Sequence, residues 1–215
     1  MGRSQNLQEK KRIHQVAMHL FCQRGYRQTS YQKIADIAGI KRTNVQHYFP
    51  KKQEFVFIFL NNLLNLSQQY TVKDLEYSDN IKTFYVLGRI YFNFLLNTKG
   101  LEKFTYDIFA SREVTDQIIY FNEQWAIDYL KLSTNNEKVI SNVVIFAMGG
   151  AYEIVYRYLK EKRKISSKYI MDNAIYMLLS QLHYSKDKIA KILNQEMINE
   201  NELEKSRIFI SGNIF

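Results

Sequence analysis

The chain has 215 residues, 46% apolar and 24% charged, which fits a folded globular protein of one or two domains and excludes disorder along its whole length. A single cysteine, Cys22, excludes a disulfide scaffold and suits a reducing cytoplasm. No apolar run approaches the roughly 18 residues of a membrane span, and the polar, basic start MGRSQNLQEKKR does not read as a secretion signal.

The net charge of +9 is unevenly spread. Residues 1–54 hold eleven cations and three anions, whereas residues 55–215 hold nineteen and eighteen. A basic segment of small-domain size points to a polyanion, either a nucleic acid or an anionic membrane. Eight glycines and one proline leave few turn signals, so long helices with short connections are expected.

In chain order, Ile13, Val16, Ala17, Leu20 and Phe21 form the apolar stripe of a helix over 5–24, with Gly25 in the place of a C-terminal glycine. Thr29 or Ser30 can cap a short helix through Ala38 that ends at Gly39. A third short helix fits 42–48, and Pro50 interrupts the chain. The 51–70 helix is apolar on two sides, through Phe55, Ile58, Phe59, Asn62, Leu63 and Leu66 and through Val56, Leu60 and Leu64, so it joins the basic segment to the rest. After a polar stretch at 71–80, further helices fit 81–98, 101–110, 114–132, 137–163, 167–183 and 186–203. Thr134 with Glu137 reads as a capping box, and Ser185 as a cap. Ile118, Phe121, Trp125, Tyr129 and Leu132 align in one of these helices. Val139, Val143, Phe146, Gly150, Ile154 and Tyr158 align in the next. The closing RIFISGNIF is either a docked tail or disordered. No strand-period segment and no repeat stands out, so the fold class is all-α, about ten helices.

Residues 31–50 carry a helix-turn-helix pattern. Counting from Tyr31, Ala35 falls where two crossing helices leave room for a small side chain. Gly39 falls in the turn, and Ile34, Ala38, Ile40 and Val45 take the buried positions. Lys41 and Arg42 begin the second helix of the unit, and Lys51 and Lys52 begin the next helix. Cations there oppose the helix dipole by roughly 0.3–1 kcal/mol each, a placement that DNA phosphates would reward. Between them lies Thr43-Asn44-Val45-Gln46-His47-Tyr48. Asn and Gln can pair with adenine, and Thr can meet a thymine methyl.

Residues 21–55, FCQRGYRQTSYQKIADIAGIKRTNVQHYFPKKQEF, resemble the DNA-binding domain of the tetracycline-repressor (TetR) family. Phe21, Gly25, Tyr26, Thr29, Ser30, Ile34, Ala35, Ala38, Gly39, Ile40, Tyr48, Phe49, Pro50 and Lys52 match the family's pattern over about a quarter of the chain. The resemblance implies a three-helix DNA-binding domain at 1–54 and a larger helical ligand-binding and dimerisation domain at 55–215. It implies phosphate contacts from Thr29, Ser30 or Tyr31 and from Tyr48 and Lys52, with Lys41 at the start of the recognition helix. Arg42, Thr43, Asn44, Gln46 and His47 would face base edges or nearby backbone. Gln46 replaces the tyrosine common in the family, so operator preference does not carry over from relatives.

The remaining 161 residues hold 13 of the 16 tyrosines and the only tryptophan. Aromatic rings with a few hydroxyls suit a small-ligand cavity. With the family's ligand pocket in mind, Tyr91, Tyr106, Phe109, Phe121, Trp125, Tyr129, Tyr152 and Tyr156 are the candidates. Arg89, Arg112, Glu153 and Asp107 beside the apolar stripes are read as surface or ion-paired residues that could also meet a charged ligand. The family also implies a homodimer through the 137–163 and 167–183 helices, with Gly150, Tyr169, Ile170, Ala174, Met177 and Leu178 at the interface.

Catalysis, metal binding and cofactors are not expected. His14 and His19 lack metal-ligand spacing, His183 stands alone, His47 belongs to the recognition helix, and Cys22 reads as core. The expectation is a cytoplasmic, homodimeric repressor of a palindromic double-stranded DNA operator, released by a small molecule. A DNA-binding adaptor or an activator without an inducer is the alternative.

Overall fold

The computed structural model describes residues 2–75, 80–130 and 137–214. The described residues form helices and no strand, so the protein is all-helical. The first three helices are α1 (Gly2–Arg24), α2 (Tyr31–Ala38) and α3 (Arg42–Tyr48). The rest follow as α4 (Gln53–Gln69), α5 (Asn80–Asn97), α6 (Leu101–Phe109), α7 (Arg112–Leu130), α8 (Glu137–Lys160), α9 (Ser167–Gln181), α10 (Lys186–Leu193) and α11 (Glu200–Ile214).

The N-terminal head forms as its pattern dictates. Ser30 caps α2 by accepting the Lys33 N–H at 3.2 Å. Gly39 ends α2 with φ 65°, the left-handed region, so that the Ile40 N–H can reach back to the Ala35 carbonyl at 3.1 Å. Ile13, Ala17 and Phe21 of α1 close on Ile34 and Ala35 of α2, Val45 of α3 and the following Phe49, all fully buried. Arg12 ties α1 to the end of α2 by donating to the Ala38 carbonyl at 2.7 Å.

α5 is buried along most of its length and forms the centre of the body, in contact with α4, α6, α7, α9 and α11. A helix apolar on all sides is stable only when surrounded. α8 and α9 pack on each other across the short connection at 161–166, α8 also covering α7 and α6. The buried apolar residues form one cluster that runs from Ile13 in the head to Ile214 at the end of α11.

The structure departs from expectation in three places. α4 does not stop at a polar linker: it widens into a π-type turn over Tyr70–Asp74. The buried hydroxyls of Ser67 and Thr71 donate to the carbonyls four residues before them, at 2.8 and 2.7 Å, and so compete with backbone donors. The helix expected over 186–203 is broken after Leu193, and the terminal residues form α11. Met197 and Ile198 are buried in the break, Asn199 caps α11 by accepting the Glu202 N–H at 2.9 Å, and Leu203, Ile210 and Ile214 bury the tail. In α8 the expected stripe does not face the core as a whole: Val139 and Phe146 are exposed, while Val144, Ala147, Met148, Ala151, Tyr152 and Val155 join Val143 inside. The Thr134 capping position and Leu132 lie outside the described residues.

Two outcomes follow from the head. Gly25 has φ +88°, and a Cβ there would lie 2.5 Å from Asp107 Oδ2, whereas Gly39 has φ +65° and open space around it. Gly39→Ala is expected to cost about 1 kcal/mol, the penalty of the left-handed backbone alone. Gly25→Ala is expected to cost about 1–3 kcal/mol more, because Asp107 must also move. Chemical denaturation of the two variants checks the ranking.

His14 is buried and donates from Nε2 to the Phe55 carbonyl at 3.0 Å. Burial holds its pKa below the ordinary histidine value, with Lys10 acting in the same direction and the Phe55 carbonyl opposing. A depressed folded-state pKa means that the unfolded chain takes up the proton first as pH falls. The His14 contribution is therefore intact above about pH 6.5 and is lost on acidification. The melting-temperature advantage of wild type over His14→Gln is expected to shrink between pH 7.5 and 5.5, and an advantage that grows would contradict the assignment.

Candidate nucleic-acid interface and ligand cavity

α3 presents one apolar residue inward and the rest outward. Val45 is fully buried, while Lys41, Arg42, Thr43, Asn44, Gln46 and His47 are exposed and Tyr48 is half-buried with its ring edge-to-face against His47. No side chain caps the start of α3 and no acidic residue lies in its first turn. Its free N–H groups and the cations Lys41 and Arg42 share one end, an arrangement complementary to phosphate. Ser30 at the start of α2 is exposed, and Tyr31 is half-buried with its hydroxyl donating to the Phe49 carbonyl at 2.8 Å.

Thr29 is a correction. It is fully buried, and its hydroxyl donates to the Gly25 carbonyl at 2.9 Å, so it ties the α1–α2 turn together and offers nothing to a phosphate. Lys52 also differs from the cation expected at the surface. Its ammonium donates to the Tyr26 carbonyl at 2.6 Å and lies 4.3 Å from the centre of the Tyr26 ring. Burial lowers its pKa, and the nearby Asp107 carboxylate acts against that shift. The Lys52 ammonium at the start of α4 therefore has partners within the protein without DNA. Lys51 remains exposed, and Glu54 answers the α4 dipole by accepting the Lys51 N–H at 3.0 Å.

The head is bolted to α6 and α7. Asp107 Oδ2 accepts the Arg27 N–H at 2.9 Å, and the Arg27 guanidinium donates to the Ala110 carbonyl at 2.8 Å. Phe21 stacks on Phe104 with ring centres 6.0 Å apart. Gln53, in the first turn of α4, donates to Glu113 in the first turn of α7 at 2.7 Å.

A cavity of about 500 Å³ opens between α4 and α7, with α5 as its floor. α4 supplies Phe57, Ile58, Leu60, Asn61 and Leu64, α5 supplies Tyr91, and α7 supplies Gln117, Ile118, Tyr120, Phe121 and Asn122. Beyond Tyr91 and Asn122 a small chamber of about 20 Å³ continues to Tyr152 and Met171. Asn122 donates to the Tyr152 hydroxyl, and Tyr91 lines both spaces beside this pair. Burial pushes both phenols above the ordinary tyrosine range, so they stay protonated.

Of the eight aromatic candidates, Tyr91 and Phe121 line the cavity and Tyr152 lines the inner chamber. Phe109, Tyr106 and Tyr156 lie away from this cavity, Tyr106 lining a separate surface space beside α8. Phe109 is buried against the Tyr152 ring at 4.8 Å, and Tyr106 stacks on Tyr156 at 5.7 Å on another side of the body. Trp125 and Tyr129 belong to α7, but their side chains lie outside the described residues. The α4 wall was missed by sequence reasoning, although the second apolar side of α4, with Leu60 and Leu64, was its signal. The four charged candidates are engaged elsewhere: Arg89 with Ser167, Asp107 with Arg27, Arg112 with Asp116 and Glu153 with Arg157.

On the α8–α9 face, Ile170, Ala174 and Leu178 are buried inside the chain and so cannot meet a partner, which corrects half of the expected interface. Gly150, Tyr169 and Met177 are exposed, and Phe146 and Tyr176 are exposed on the same two helices. Cys22 has its thiol pushed up to about 11 by burial, which makes it an inert packing group. No described helix is long and apolar enough to cross a membrane.

The family profile described as "Bacterial regulatory proteins, tetR family" matches residues 13–57. The HTH-type transcriptional regulator RutR of Escherichia coli is 34% identical over 58 residues, 27% of this chain and 27% of RutR, and RutR of Shigella flexneri matches to the same extent. The match thus spans about a quarter of the length of these relatives. Over the longer range, the fold is similar to FadR of Thermus thermophilus, a TetR-family transcriptional repressor solved in complex with lauroyl-CoA. The TM-score is 0.57 at 15% identity, covering 82% of this chain and 96% of that one. The fatty acid degradation regulator FadR of Bacillus halodurans gives 0.52 at 16% identity, covering 82% and 97%. Those identities speak for the fold alone. A head that matches the tetR-family profile over residues 13–57 is thus joined to an all-helical body whose fold is similar to that of the two FadR proteins.

Proposed function

We propose that this transcriptional regulator is a homodimeric repressor that leaves a palindromic operator when a small molecule enters the cavity between α4 and α7. The observation that carries this reading is the double membership of α4. Its first turn packs in the head through Phe55, and the next turns wall the cavity through Phe57, Ile58, Leu60, Asn61 and Leu64. A ligand that moves α4 relative to α7 therefore reorients the recognition helix. The proposed DNA contacts are Ser30, Tyr31, Lys41, Arg42, Thr43, Asn44, Gln46, His47, Tyr48 and Lys52. The proposed partner surface is the α8–α9 face around Phe146, Gly150, Tyr169, Tyr176 and Met177. Two heads related by a dyad read two half-sites, which one seven-residue helix cannot do alone. Ligand and DNA would weaken each other's binding by the same factor. The place of action is the cytoplasm.

The test is binding to the DNA upstream of the protein's own gene and to a scrambled copy, at several salt concentrations. Wild type is expected to prefer the native fragment. Gln46→Ala is expected to cost about 1–3 kcal/mol on that fragment and to relax the preference. Arg42→Ala is expected to lower the salt slope by about one through loss of a phosphate contact. Equal, steeply salt-dependent binding of wild type to both fragments would count against sequence reading at this site.

Phe146→Lys with Met177→Lys is expected to convert the dimer to a monomer in sedimentation and to abolish tight operator binding while leaving the fold intact by circular dichroism. A variant that remains dimeric would move the interface elsewhere.

A further inference from the structure

The cavity has an unusual chemical bias. Among its described lining residues there is no charged side chain, and the same is true of the inner chamber. Its polar groups are the exposed Asn61, Gln117 and Tyr120 and the buried Asn122 and Tyr91, with Tyr152 beyond them in the inner chamber. The charged residues on neighbouring helix stripes are turned to other partners, as described above. An ion drawn into this space loses its water and meets no counter-charge, and desolvation of that kind costs several kcal/mol.

The direction of the buried hydrogen bonds adds a second constraint. The Asn122 Nδ2 can only donate, so the Tyr152 oxygen accepts. Tyr91 is buried on the wall that the cavity and the inner chamber share, and no described side chain accepts its hydroxyl proton. Tyr91 is left with a hydroxyl proton at the cavity wall.

We propose that the cavity takes an uncharged, mainly apolar ligand with one hydrogen-bond acceptor, such as a ketone, ester or lactone oxygen, which the Tyr91 hydroxyl receives. The acceptor satisfies the Tyr91 hydroxyl proton, and the apolar remainder covers Phe57, Ile58, Leu60 and Phe121. Lauroyl-CoA, held by the Thermus thermophilus neighbour, carries phosphates for which the described walls provide no cation. This inference rests on the reading of the cavity as the effector site, and it specifies the chemistry of the effector.

The test uses one ten-carbon chain with three head groups, 2-decanone, decanoate and decylamine, titrated calorimetrically into the full-length protein at pH 7. The ketone is expected to bind at least about tenfold more tightly than either ion. Tyr91→Phe is expected to weaken the ketone about fivefold, the size of one neutral hydrogen bond. Either ion binding as tightly as the ketone, or no binding by any of the three, would overturn the proposal. So would a folded Tyr91→Phe protein with unchanged ketone affinity. Should that variant fail to fold, the three-way comparison in wild type decides alone. Release of a labelled upstream fragment is followed in the same samples. A ketone that binds without loosening DNA supports the ligand chemistry and counts only against the release mechanism.

Discussion

Phe55, in the first turn of α4, lies face to face with Phe49 at 3.9 Å between ring centres and edge-on to Phe21 at 6.0 Å. Phe21 continues to Phe104 of α6, and Phe104 meets Phe59 one turn further along α4. Five phenylalanines thus carry packing from the end of α3 into the body without a gap. Close-packed rings admit discrete arrangements more readily than gradual deformation. The position of α3 is for that reason tied to the position of α4.

Polar bonds secure the same joint where rings cannot. Gly25 turns the chain after α1 with a left-handed backbone, which lets Asp107 approach and accept the Arg27 N–H. Lys52 closes the other side of the turn on the Tyr26 carbonyl, and Gln53 reaches Glu113. Each such bond contributes about 1 kcal/mol net. Their value here is geometric: they are spread over α1, α4, α6 and α7, so a change in the α4–α7 gap is felt at the base of the head. The proposed release mechanism uses that linkage, with the cavity on one side of α4 and the recognition helix at its end.

Much of the head was legible because its constraints are local. A left-handed glycine after α2, a small Ala35 at the helix crossing and a serine cap each follow from backbone geometry within a few residues. The exposed, polar character of α3 followed from the same pattern. Thr29 was misplaced because a hydroxyl near a helix start can turn outward to phosphate or inward to a carbonyl, and only the fold supplies the carbonyl. The break before α11 was hidden for a similar reason: Met197 and Ile198 look like one more helical turn until burial selects another path for them.

The sequence by itself determined the helical class, the position of nearly every helix and the exposed, polar surface of α3, since periodicity and caps act over one or two turns. It could not determine which apolar stripe faces the core and which faces outward. Ile170, Ala174 and Leu178 repeat at the same spacing as surface-seeking neighbours, yet they are buried within the chain, while Phe146 of α8 is exposed. Nor could it assemble a cavity from α4, α5 and α7, or separate Tyr91 from Tyr106, which packs elsewhere on Tyr156. Those choices depend on which helices become neighbours, and that is decided by long-range packing of the whole body rather than by any local property of the chain.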